Sequence, residues 1–239
     1  MSTATKERQI LFSSEMVRAI LAGRKTQTRR PLRIQPLEVL LPADRRAKSL
    51  EQVTRKWGGC RTWFALTERG ETIAQNRGVA FRCKYGEVGS RLWVCETWQQ
   101  IERNSRNCSE WAIVDVPFKG GRVIYAADCK EEPPKWRPSI HMPRWASRIT
   151  LEITEVRVER VQAISEADAQ REGVERLDLT SGTIEGVAPP FNRVHPMTSS
   201  YVDAFKATWN ALYGKSEHAW DKNPWVWSIS FRPLTPEAT

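Results

Sequence analysis

The chain has 239 residues, with 37 Lys+Arg against 28 Asp+Glu and a formal charge of +9. Its 40% hydrophobic content, with 13 Gly and 14 Pro, excludes collagen and a wholly disordered chain. No apolar run approaches the roughly 20 residues that span a bilayer, and the polar stretch from Met1 to Arg8 lacks the apolar centre of a secretory signal; a cytoplasmic protein with no membrane partner is expected.

In chain order, Gln9 to Phe12 reads as a short strand. Ser13 or Ser14 then caps a helix whose apolar face is Met16, Val17, Ile20 and Leu21, closed by Gly23. Arg24 to Arg30 is polar and strand-compatible, with Pro31 as its stop. Residues 31–80 show weak periodicity and read as an irregular insertion. Arg91 to Thr97 and Arg122 to Ala127 are strands, separated by a second insertion at 99–121. Four prolines between 130 and 146 indicate an extended loop. From Ser147 to Val161 the pattern is strongly β: Ile149, Leu151 and Ile153 alternate in one phase, Val156 and Val158 in the other, which requires a bulge or tight turn. Ser165 to Asp168 is a capping-box start for a short helix that Gly173 closes.

Residues 175–197 read as a loop. Ser199 or Ser200 opens a second good helix, with Val202, Phe205, Trp209 and Leu212 on one face and Gly214 at its end. A final strand follows Pro224, with Trp225, Trp227, Ile229 and Phe231 on one face. Scattered strands, few helices and no regular βαβ alternation predict a mostly β, α+β chain: a small barrel decorated by helices and long loops.

The charge is mostly guanidinium, since 26 of the 37 basic residues are Arg. Arg forms planar bidentate contacts with phosphate and stacks on rings, as Lys does not. The 11 tryptophans suit base stacking, although core packing accounts for most single tryptophans. A nucleoside or a nucleic acid, RNA or DNA, is therefore the expected partner. Cys60, Cys83, Cys95, Cys108 and Cys129 form no CxxC pair, and His141, His195 and His218 have no metal-ligand spacing. Reduced thiols, no metal and no cofactor are expected.

The densest cluster of reactive side chains is Gly23-Arg24-Lys25-Thr26-Gln27-Thr28-Arg29-Arg30. Lys25 and Thr28 would face opposite ways in a regular strand, so a joint role needs a turn or bulge between them. On its residues alone the stretch reads equally as a solvated basic edge strand. Glu96 lies among Trp93 and Trp98, where a carboxylate can take a cytosine amine while an indole stacks on the ring. Trp136, His141, Arg144 and Trp145 interleave rings with cations in a proline-braced loop, the composition of a base platform or of a loop tucked onto the barrel.

The Ile20–Arg30 motif resembles the signature of the ASCH family, whose fold is a PUA-like β-barrel. It is particularly similar to the small bacterial N4-acetylcytidine amidohydrolases. The segments 89–98, 139–148 and 223–227 resemble ASCH-domain proteins often encoded by phages and prophages, which would act in the cytoplasm of a bacterial host. The resemblance covers about half the chain and leaves 31–80, 99–121 and 175–223 as insertions in a single domain spanning 1–239. It implies a catalytic set of Lys25, Thr28 and Glu172, the last in the helix pattern Ser165-Glu166-Ala167-Asp168-Ala169-Gln170-Arg171-Glu172. Arg24, Arg29, Arg30, Glu96, Trp98, Trp136, His141, Arg144 and Trp145 are expected to meet the substrate. Arg29 departs from the small enzymes, which carry an apolar residue there. The expected activity is hydrolysis of an amide on a modified cytidine. The alternatives are a non-catalytic reader of RNA or modified DNA and a phage accessory protein acting through protein partners.

Overall fold

The computed structural model describes residues 7–33, 49–53, 62–66, 83–101, 114–115, 122–129, 135–174 and 200–234. In chain order they form β1 (Glu7–Leu11), α1 (Ser14–Leu21), β2 (Gln27–Pro31), β3 (Ser49–Val53), β4 (Thr62–Leu66), β5 (Arg91–Cys95), β6 (Trp98–Ile101), β7 (Val114–Asp115), β8 (Arg122–Tyr125), β9 (Thr150–Arg160), α2 (Glu166–Arg171), α3 (Tyr201–Tyr213) and β10 (Trp225–Leu234). Five strands make one sheet in the order β1-β5-β9-β10-β2, β6-β8-β7 make a second, and β3-β4 pair as a hairpin. In the large sheet β1 runs parallel to β5 and the other pairs are antiparallel.

The alternation of β10 builds the main core. Trp225, Trp227, Ile229 and Phe231 are all buried with Ile10, Leu92, Val94, Leu151 and Ile153. The phase change read in β9 is a bulge: the register against β10 shifts between Ser230 and Phe231, where Glu155 and Ile153 are the successive partners and Thr154 is skipped. The other face of β10 carries Val226, which packs with Phe205 and Trp209 of α3, Ala169 of α2 and Trp220. All three helix caps predicted from serines are present: Ser13 accepts from the Met16 N–H at 3.4 Å, Ser165 from the Asp168 N–H at 3.1 Å and Ser200 from the Asp203 N–H at 3.3 Å.

Four expectations change. The α+β class is observed, but among the described residues the five-stranded sheet is open, with β1 and β2 as its edges. The edges meet through a side chain instead of a ladder, Arg30 Nη2 donating to the Leu11 carbonyl at 2.5 Å. Within the expected irregular insertion at 31–80, β3 and β4 pair. Within the one at 99–121, β7 joins the small sheet. Pro31 ends β2 as expected: it is the last residue of the strand, opposite Val226, at an edge where a missing N–H breaks no outer ladder. On the helices, Leu21 and Leu212 are exposed, at 53% and 44%, although periodicity put both on buried faces; Ala19 and Thr208 are buried in those elements.

Candidate functional site

The path from α1 into β2 solves the Lys25–Thr28 geometry. The Ala19 carbonyl accepts from the N–H groups of both Arg24 and Lys25, which wraps the chain back over the end of α1. Gly23 makes this possible with φ 72°, the left-handed region that glycine enters without a Cβ clash. Lys25 therefore lies outside β2, in an isolated antiparallel bridge with Glu172, while Thr28 is in the strand opposite Ile229. Thr26 N–H completes the docking by donating to Arg171 at the end of α2.

Glu172 caps the C-terminus of α2 and is held at both carboxylate oxygens. Lys25 Nζ donates to its Oε2 at 2.9 Å and to its main-chain oxygen at 2.7 Å. Arg29 Nη1 donates to its Oε1 at 3.2 Å. Lys25, Thr28, Arg29 and Glu172 are all buried. Burial holds the Lys25 amine below the ordinary lysine range; the Glu172 carboxylate works against that shift, and the charges of Arg30 and Arg29 work with it. Phe12 lies beneath both cations, its ring centroid 5.7 Å from Lys25 Nζ and 5.3 Å from the Arg30 guanidinium carbon.

Arg29 is a hub with a wholly buried side chain. Beyond Glu172, it donates to Glu159 from Nε at 2.8 Å, to Gln27 from Nη1 at 3.1 Å and to Asp168 from Nη2 at 3.1 Å. Asp168 also accepts from Arg157 and Arg171, each at 3.2 Å. Burial pushes the Asp168 carboxyl up, but Arg29 and Arg157 outweigh it and leave it below the usual range. Each nitrogen of Arg29 faces a protein acceptor, while its side chain also lines the cleft that holds Lys25 and Thr28. Asp168, Glu159, Gln27 and Phe12 escaped sequence reasoning. Only Asp168 carried a signal, and its capping-box position explained it locally without revealing its outward carboxylate.

Lys25, Thr28, Arg29, Arg30 and Glu172 line one cleft, and α3 forms its apolar side with Phe205, Trp209, Leu212 and Tyr213. The cavity measures ≈ 30 Å³, space for about two water molecules. Arg24 is exposed and does not line it.

The remaining predicted residues lie elsewhere. Glu96 is buried and clamped by Arg148, Nε to Oε1 at 2.9 Å and Nη2 to Oε2 at 3.0 Å. Burial raises its carboxyl, with Arg148 opposing. Arg148 also binds Asp128 and lies 4.0 Å from the Tyr125 ring centroid. Trp98 is a core residue 2% exposed, with Trp145 edge-on at 5.8 Å and the Arg137 guanidinium 5.1 Å from its ring. Arg144 pairs with Glu7 at 2.7 Å on the surface, His141 is exposed and Trp136 is half-buried. The 136–148 segment is thus a loop tucked onto the sheet by two short 3-10 turns, not a rim of the Lys25 cleft. Among the described residues no His, Cys, Asp and Glu cluster has the geometry to hold a metal, and no helix there is long and apolar enough to cross a membrane. Comparison with protein-family models, curated proteins and solved structures returned no match.

Proposed function

We propose that the cleft between β2 and α3 hydrolyses an amide on the exocyclic nitrogen of a modified cytidine, and that the chain is an ASCH-type protein with a PUA-like fold. The supporting observation is that Lys25, Thr28 and Glu172, separated by up to 147 positions, line one cleft. In the reaction, the oxygen of a water molecule bonds to the acyl carbon and the carbon–nitrogen bond breaks. Glu172 takes a proton from the water and passes it to the departing amine, so the products are a carboxylic acid and a cytidine. A lysine ammonium has three N–H donors; two of those of Lys25 face Glu172, and the third is assigned to the oxyanion. Thr28 holds the water. An acyl group trapped on Thr28 and seen by mass spectrometry would reassign it as the nucleophile.

The test is incubation with N4-acetylcytidine, following the release of cytidine. A single oxyanion donor is worth about 10²–10³ in rate, so Lys25→Ala is expected to lower kcat by at least ~100-fold, with circular dichroism confirming that the variant is folded. Unchanged turnover in that variant removes the role given to Lys25. A non-catalytic reader of RNA or modified DNA is the second reading. It is favoured by the formal charge of +9, carried mostly by Arg. Binding of single strands without turnover of any N4-acylcytidine would select it.

A further inference from the structure

The floor and walls of the cleft differ in chemistry. The floor is polar, with Lys25, Thr28 and Glu172; the α3 wall is mostly carbon. Two polar groups of that wall are committed elsewhere: Trp209 Nε1 donates to the His218 carbonyl at 2.8 Å, and the Thr208 hydroxyl donates to the Ala204 carbonyl at 3.1 Å. The wall is also uneven in its freedom to move. Phe205 and Trp209 are 4% and 2% exposed and packed with Trp220 and Val226, so they have nowhere to retreat. Leu212, 44% exposed, is the yielding side. Between them lies ≈ 30 Å³, room for about two water-sized groups, which is too little for a pyrimidine ring and suits a two-carbon acyl group.

We infer that only the acyl group of the substrate enters this cleft, against α3, and that the site selects amides of short acyl chains while the base stays at the mouth. This rests on the hydrolase reading of the same residues. An acetyl group sets its carbonyl among the polar floor residues and its methyl against the apolar wall. A branched or aromatic acyl group exceeds the room that Leu212 yields and presses on the fixed rings of Phe205 and Trp209, and overpacking of that kind costs enough to lower kcat/KM about tenfold or more. The bond changes are those of amide hydrolysis throughout the series; only the acyl substituent differs.

The experiment compares N4-acetyl-, propionyl-, isobutyryl- and benzoylcytidine with the full chain and with Leu212→Ala. The expected result is a fall in kcat/KM with acyl size in the wild type and a smaller acetyl-to-isobutyryl ratio in Leu212→Ala. Equal turnover across the series, or an unchanged ratio in the variant, overturns the inference. A second measurement separates it from the hydrolase reading: the Lys25 side-chain nitrogen resonance is followed while acetamide or benzamide is added. If nothing in the series is hydrolysed but acetamide alone shifts Lys25, the size selection stands and the hydrolase reading falls. If neither amide, or both equally, shift Lys25, the size selection falls.

Discussion

Arg29 shows how much one side chain can organise. Its guanidinium joins Glu159, Asp168, Gln27 and Glu172 from three elements and has no exposed surface. A buried cation of this kind adds little net stability when paired, but its removal leaves buried carboxylates facing each other. Arg29→Met is therefore expected to destabilise the fold by about 3–5 kcal/mol, read from denaturant unfolding. Asp168, held below the usual carboxyl range, gives a sign for pH. The unfolded chain binds its proton more readily, so its contribution to stability is present above about pH 4, the unfolded value, and is lost as pH falls through the lower folded value. Asp168→Asn is expected to flatten the acid limb of stability against pH. Lys25 is depressed instead, so a rate that needs its ammonium should fall on the alkaline side before the ordinary lysine range is reached, a shift that a pH–rate profile measures. At this scale the sequence exposed the reactive types but not their engagement. Glu96 and Trp98 have the composition of a base site, yet Arg148 and Trp145 occupy them, and no local pattern announces a partner 52 positions away.

Elements with strong periodicity or caps were readable: α1 and α3 from their serines and apolar faces, β10 from its alternating Trp, Ile and Phe, and the β9 bulge from its change of phase. The β3–β4 hairpin was not, because its strands lie in a stretch whose breaks outweigh its alternation. Gly173, foreseen as the close of α2, proves to have a second task. Its φ is 80°, and a Cβ there would stand 2.8 Å from Lys25 Cβ and 3.0 Å from Ala19 Cβ. Neither atom is the free end of a flexible chain, so the two elements would have to separate. Gly173→Ala is expected to cost about 1–3 kcal/mol from backbone strain alone and to disturb the Lys25–Glu172 pair, visible as a shifted Lys25 side-chain resonance even where the protein remains folded.

For the whole molecule the formal charge of +9 is what motivates the proposal of a polyanionic partner. Several Arg side chains are nonetheless engaged with carboxylates, among them Arg29, Arg144, Arg148 and Arg232. Affinity for a single-stranded oligonucleotide is expected to fall with salt, log K declining by about 0.7 per phosphate neutralised in log[salt]; fluorescence anisotropy reads the slope, and its absence would leave the free nucleoside as the partner class. Composition, capping residues and the alternation of hydrophobic side chains determined the α+β class and most element types by themselves, because those signals act within a few residues along the chain. The open sheet edges, the clamping of Glu172 from both sides, the engagement of Arg29 with carboxylates, the burial of Trp98, and the apolar wall that α3 turns toward Lys25 were decided only in three dimensions. Each depends on which distant carboxylate or ring arrives opposite a given side chain, and pairings over such separations leave no periodic trace in the sequence.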